Sequence, residues 1–399
     1  MKKLFKSLIL ILPLVILMGC SSDDHITPIP SSQTSKTFAL GSIDDNNVNG
    51  TAKFIKNEDE SVTVELDFTA IPTGRMHPTH IHYNTAAEGG SIAITLGTLS
   101  GTTGFSTMTF SALDDGTPVT YEELLSFDGY INVHESDSQL DIIVAQGDIG
   151  QNELTGVSKT YSLSEKDVPG ISGTATFSER ENGEALAVIQ LSNTVSGDMH
   201  PAHIHTNTAV EGGGIAFTFN PVDGDSGKSY TNVSVLDDAT SFLYMDVINF
   251  DGYINVHESD MNLGTILAQG DIGENELTGE SINYNLSEVD VTGISGTATF
   301  FQRTNGEALA VIGLENTPVD GIHPAYMYSN DVETGGSIMF TFNPVDGNTG
   351  LSQTNVAALD DDTVFGFEDV LDVNGHIKVH LSSTQLTTVV AQGNIGSND

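Results

Sequence analysis

A chain that repeats itself three times at one constant offset has few folds open to it. Here Tyr130-Ile131-Asn132-Val133-His134-Glu135-Ser136 returns as Tyr253 to Ser259 and, altered, as His376 to Ser382, a shift of 123 residues each time. The same shift carries His77 to His200 to His323, and Gln146 to Gln269 to Gln392. It also carries Gly50-Thr51-Ala52 to Gly173-Thr174-Ala175 to Gly296-Thr297-Ala298, and Phe38 to Tyr161 to Tyr284. Anchors this far apart keep step only if almost nothing is inserted or deleted between copies. Solenoid repeats run to roughly 20–50 residues, so a unit of this length is a complete domain and not a stacked layer. The units fall at 37–159, 160–282 and 283–399, and 399 residues suffice for three ordinary cores.

Within a unit the pattern is that of strands. Ser61-Val62-Thr63-Val64-Glu65-Leu66-Asp67-Phe68 alternates apolar and polar residues with period two, and Ser91 to Leu96 and Gly129 to His134 do likewise. Asn182-Gly183, Asp223-Gly224 and Asp251-Gly252 read as turns between such runs. About eight strands per unit are expected, with one short helix near Tyr121–Phe127. The 41 glycines and the sparse aromatics, 7% with no Trp, suit short strands better than helical bundles. The expected class is all-β: three tandem antiparallel Greek-key β-sandwich domains.

The first residues read as an address. Lys2, Lys3 and Lys6 precede an apolar run from Leu8 to Leu17, too short for the roughly 20 residues that span a bilayer. The run ends in Leu17-Met18-Gly19-Cys20, which resembles a bacterial lipobox, and Cys20 is the sole cysteine. Residues 1–19 are thus expected to be a lipoprotein signal peptide and Cys20 the acylated residue. Residues 20–36 then form an acylated, Ser/Thr/Pro-rich tether. Ser21-Ser22-Asp23-Asp24 is similar to export tags of surface lipoproteins in Bacteroidetes-type bacteria. The expected location is the outer membrane or cell surface, lipid-anchored and facing the periplasm or the exterior. No intramolecular disulfide is available, which leaves packing or metal to stabilise the domains.

Three motifs in each unit resemble the CHRD domain, a family named from chordin. Leu163-Ser164-Glu165-Lys166-Asp167-Val168-Pro169-Gly170 with Gly173-Thr174-Ala175-Thr176-Phe177 is similar to its start. His203-Ile204-His205 is similar to its centre, and Gly252-Tyr253-Ile254-Asn255-Val256-His257 with Ala268-Gln269-Gly270 to its end. The resemblance covers each unit end to end and implies an all-β, extracytoplasmic domain whose biochemical activity is largely undefined. The His-x-His strand also resembles that of copper-zinc superoxide dismutases, a more distant analogy.

Eleven of the twelve histidines fall in these motifs, and only His25 lies outside, in the tether. Residues i and i+2 of a strand share a face, so His80 and His82 can lean toward one ion, and Tyr130, Asn132 and His134 share a face in turn. If those faces pair, His80, His82 and His134 form a three-histidine site that His203, His205 and His257 repeat. His77 and His200 are either fourth ligands, brought round by the following proline, or loop residues. Three imidazoles suit zinc or copper. The other reading keeps the rings neutral and hydrogen-bonded to Asn132, Glu135 or backbone carbonyls. In the third unit Tyr326 and Tyr328 replace the histidine pair while His380 remains and His376 takes the place of Tyr130. Either that unit is a spacer or the histidines never held a metal.

A net charge of -41 makes nucleic acid an unsuitable partner. Calcium is the weaker cation candidate. Asp223-Gly224-Asp225 and Asp346-Gly347-Asn348 fit turns better than an EF-hand loop, because Ser234 stands where the closing Glu belongs. The recurring pairs Asp114-Asp115, Asp237-Asp238 and Asp360-Asp361 read as loop ends. No phosphate-cradling loop, nucleophile elbow or cysteine nucleophile is seen. The sequence therefore favours a binding or adhesion module with an extracellular protein or glycan partner, touching the membrane through its lipid alone. The alternative is a copper/zinc enzyme with dismutase-like chemistry, against which the acidic surface would repel superoxide. Arg75 could offset this locally in the first unit, where the second has Asp198.

Overall fold

The computed structural model of the chain describes residues 33–42 and 47–399. The leader, Cys20, His25 and all but the end of the tether lie outside the described residues. That end is shorter than expected, because Ser35 and Lys36 already belong to the first strand. The first unit runs β1 (Ser35–Gly41), β2 (Asn49–Lys56), β3 (Val62–Thr69), β4 (Met76–Tyr83), β5 (Ile92–Ser100) and β6 (Phe105–Phe110). Helix α1 (Tyr121–Leu125), β7 (Asp128–Ser136) and β8 (Gln139–Gly150) complete it. Alternation builds β3 as expected: Val62, Val64, Leu66 and Phe68 point into the core. Thr120 starts the helix with a capping box, its hydroxyl accepting from the Glu123 N–H while the Glu123 carboxylate accepts from the Thr120 N–H.

The strands are hydrogen-bonded in the order β5-β4-β7-β8-β1-β2-β3-β6, all antiparallel, and the end strands β5 and β6 also lie against each other. In the third unit the circle closes. Leu277–Glu288, Ser295–Arg303, Ala308–Glu315, Leu351–Val356, Ile338–Asp346, Ile322–Ser329, Asn374–His380 and Val389–Gly396 form a closed barrel in that order. The fold is all-β as expected, but one sheet curls around each core where two packed sheets were anticipated. Curling lets a single sheet bury its inner face without a second layer. Each unit has its own apolar core, around Phe38, Phe54 and Ile131 in the first, Tyr161, Phe177 and Ile254 in the second, and Tyr284, Phe300 and Ile377 in the third. Among the described residues no helix is long and apolar enough to cross a membrane.

Two expectations change. The boundaries at 159/160 and 282/283 fall inside the continuous strands Leu154–Glu165 and Leu277–Glu288. Leu154 already pairs with Arg180, so the second unit starts there and the connection from β8 is only residues 151–153. Asp251-Gly252 opens the strand Asp251–Ser259 and is no turn. Its glycine answers to crowding: a Cβ would lie 2.5 Å from the Phe250 ring and 2.6 Å from the His205 carbonyl.

Candidate metal centre

Strand β4 lies between β5 and β7, with His80 opposite Asn132 and His82 opposite Tyr130. Ile81, Ile131 and Val133 belong to the core inside the curled sheet, so the intervening His80, His82 and His134 project from its outer face. That face is covered too: His80, His82, Tyr130, Asn132 and His134 are all buried. Two carbonyls hold the rings there, Gly90 in the connection from β4 to β5 and Leu140 near the start of β8.

His82 Nδ1 donates to the Gly90 carbonyl at 2.9 Å, and His134 Nδ1 donates to the Leu140 carbonyl at 2.6 Å. A carbonyl only accepts, so each bond fixes the proton on Nδ1 and leaves the Nε2 lone pair free. Gly90 is tied in turn, its N–H donating to the Tyr130 hydroxyl at 3.2 Å, while the Tyr130 ring stacks on His82 at 5.0 Å. The freed atoms are His82 Nε2 and His134 Nε2, joined by His80 Nδ1. All three are buried without a hydrogen-bond partner. One ligand nitrogen from each residue lies within 4.8 Å of the others.

The second unit repeats the arrangement. His205 Nδ1 donates to the Gly213 carbonyl at 3.1 Å and His257 Nδ1 to that of Leu263 at 2.7 Å, with His203 Nδ1, His205 Nε2 and His257 Nε2 buried and unpartnered. Ring-centroid separations are 5.8, 5.1 and 6.1 Å in the first unit and 5.9, 5.1 and 6.1 Å in the second. Tetrahedral bonds of about 2.0–2.1 Å to zinc place neighbouring nitrogens roughly 3.3 Å apart, a small inward rotation from this geometry. Burial holds His80 below the ordinary imidazole range, His134 and His82 reinforce this, and Asp114 partly opposes it. Burial likewise lowers His134 against the raising effect of its Leu140 bond. His203 and His257 are lowered for the same leading reason. Burial thus biases His80, His134, His203 and His257 toward the neutral form, the one that binds a metal. Two buried histidine triads fit a metal ion, and these donors do not select which one.

His77 and His200 are outside both clusters. His77 is fully buried with Nδ1 3.0 Å from the His134 carbonyl and Nε2 3.0 Å from that of Pro72. It braces the β7 backbone behind His134. His200 Nδ1 donates to the Glu258 carbonyl, and His323 Nδ1 to that of Leu381. Persistence of this histidine in the third unit, where the triad is gone, agrees with bracing. Glu135 pairs with Arg75, so neither is free for the roles expected of them. The paired acids hold their loop in place: Asp114 ties it to β5 by accepting from the Thr95 N–H and hydroxyl, and Asp115 caps the turn by accepting from the Thr117 N–H.

The third unit shows what replaces the triad. Histidine and tyrosine exchange strands: Tyr328 stacks on His376 at 5.2 Å where His82 stacks on Tyr130. The Tyr328 hydroxyl bonds His380 Nε2 at 3.0 Å, occupying the nitrogen that is free in the other units. Lys378, in the register position of Asn132, sets its ammonium 5.5 Å above the Tyr328 ring. A fixed cation thus stands beside these rings. Gly90, Leu140 and Lys378 were passed over in the sequence, although Gly90–Gly213–Gly336 and Leu140–Leu263–Leu386 recur at the repeat offset.

Comparison of the chain with family models, with curated proteins and with solved structures returns no match.

Proposed function

We propose that the protein is a lipid-anchored surface lipoprotein of three CHRD-like modules that binds one metal ion, zinc or copper, in each of its first two units and serves as a binding or adhesion module. One observation carries the metal reading: in both units three buried imidazole nitrogens converge without any other partner, while carbonyls hold the opposite nitrogen of two of the rings. Leaving a buried polar atom unpaired costs about 1–3 kcal/mol, and three such atoms meeting at one point ask for a common ligand. The lipobox-like segment and the resemblance of the three motifs support the surface location and the family. The dismutase-like alternative gains nothing from a donor set whose three nitrogens are all shut off from solvent.

Metal content tests this. The full chain, untagged and in detergent, is loaded with zinc or copper, desalted and analysed by mass spectrometry. About two equivalents per chain are expected, falling to one in a His80→Ala/His82→Ala variant. A chain that retains no metal sinks the reading and returns all six histidines to structural duty.

A further inference from the structure

The connection between successive units packs against a buried arginine that neither the fold of one unit nor the histidine centre requires. Arg180 lies near the start of the second unit with its side chain fully buried. Its Nη1 donates to Asp148 Oδ2 and to the Asn152 carbonyl, both at 2.6 Å, and its Nε donates to Asn232 Oδ1 at 2.9 Å. Asp148 belongs to β8 of the first unit, and its other oxygen accepts from the Ala86 N–H at 2.8 Å. One guanidinium therefore ties together a strand of the preceding unit, the connecting residues and a strand of its own. The connection has no slack. Gln151 N–H donates back to Phe127, Asn152 Nδ2 to Asp128 and Asn84, and the Glu181 and Asn182 N–H groups of the second unit donate back to the carbonyls of Glu153 and Gln151. Arg303 repeats the arrangement with Asp271, Asn275 and Asn355.

The outer positions carry the argument further. At the repeat offset, the arginine position reads Asn57, Arg180, Arg303 and the aspartate position reads Asp148, Asp271, Asn394. Charge is present only where one described unit faces another. Asn57, with no described unit before it, turns inward to Ser61 and Thr63. Asn394 keeps the backbone bond that aspartate makes in the other units, accepting from Val332 N–H at 2.9 Å. A residue needed for the fold of a single unit would be charged in all three. A buried guanidinium and carboxylate are tolerated only when each has the other, so the pair selects one docked geometry.

We infer that Arg180 and Arg303 lock each unit onto the one before it, making the three units one rigid array in which the first two histidine centres stand at a fixed separation. The inference does not depend on whether metal is bound.

Pulsed dipolar spectroscopy on the metal-free full chain in detergent tests it. Cys20→Ser, which also removes the lipid, leaves the labelling sites as the only cysteines, and Thr117→Cys and Thr240→Cys place nitroxides on matching exposed turns of the first two units. A single narrow distance distribution is expected. Asp148→Asn, the substitution the chain itself has at Asn394, keeps the bond to Ala86 but removes the charge, and should widen the distribution severalfold. Arg303→Met, at the other joint, should leave it unchanged. A broad distribution in the parent, or a narrow one in a folded Asp148→Asn protein, overturns the inference. If that variant does not fold, the width in the parent and in Arg303→Met decides alone.

Discussion

Removing the His77 ring takes away a buried brace and no ligand. His77→Ala should destabilise the metal-free chain by about 2–4 kcal/mol, from the cavity and a carbonyl left without its imidazole donor, yet leave two metal equivalents at saturation. Urea unfolding with metal analysis checks both numbers; unchanged stability with one equivalent lost would make His77 a ligand. A second residue-scale prediction concerns acid. Burial lowers His376 and His380 below the ordinary 6.5, Lys378 adds to this, and carbonyl bonds partly oppose it. In the unfolded chain both return toward the ordinary value. Below about pH 6.5 the unfolded state therefore binds more protons, and stability declines as pH falls. Above that value both states are neutral there and the effect vanishes. In metal-free protein His380→Gln should flatten the fall in urea midpoint between pH 7 and 5; an unchanged slope would place His380's proton balance elsewhere. The triads were legible at this scale because i, i+2 spacing fixes a shared face. The role of His77 was not, because alternation names a face and not what stands behind it.

At the scale of the element, the outer face of β7 explains why hydropathy told half the story. Alternation located the strand, but Gly129 through His134 are all buried, because the polar face is covered as well as the core face and alternation reports only the latter. The Asp-Gly pair likewise has the composition of a turn and the duty of a crowded strand start. Its glycine makes a prediction with a built-in comparison. A Cβ at Gly129 or Gly252 would lie 2.5 Å from the Phe127 or Phe250 ring and 2.6 Å from the carbonyl of His82 or His205. At Gly375, where Val373 replaces the phenylalanine, the nearest atom is 3.1 Å away. Gly252→Ala should cost about 1–3 kcal/mol through overpacking and strain and weaken metal retention in the second unit, by pushing on the strand that carries His205. Gly375→Ala should be much milder. Equal thermal shifts for the two would mean that crowding is not what keeps glycine there. The strand boundaries at 154 and 277 escaped sequence reading for a related reason: pairing partners, not composition, decide where a domain begins.

The whole molecule carries 54 acidic residues against 13 lysines and arginines. Among the described residues, pairs between side chains that still touch solvent, such as Lys36–Glu153, Lys53–Glu65, Lys56 with Glu60 and Glu122, Arg75–Glu135 and Lys159–Glu276, engage only a few of those acids. Exposed pairs contribute about 0–1 kcal/mol each, whereas the excess of negative charge opposes compaction over the whole surface. Salt screens both effects, with a Debye length near 30 Å at 0.01 M and roughly 3 Å at 1 M. The few favourable pairs are short-range and the repulsion is long-range, so screening removes more repulsion than attraction. The buried Arg180–Asp148 and Arg303–Asp271 pairs, at 2.6 and 2.7 Å, lie out of reach of mobile ions and should hold throughout. Thermal unfolding of the metal-free chain should therefore shift upward by a few degrees between about 0.01 and 0.5 M NaCl, a scale set by the entropy of unfolding domains this size. Sodium sulfate at matched ionic strength strengthens burial in addition, so chloride is the salt that isolates the charge effect. A midpoint that falls with NaCl would mean that local ion pairs outweigh the collective repulsion, and that the acidic surface is arranged in clusters each neutralised in place.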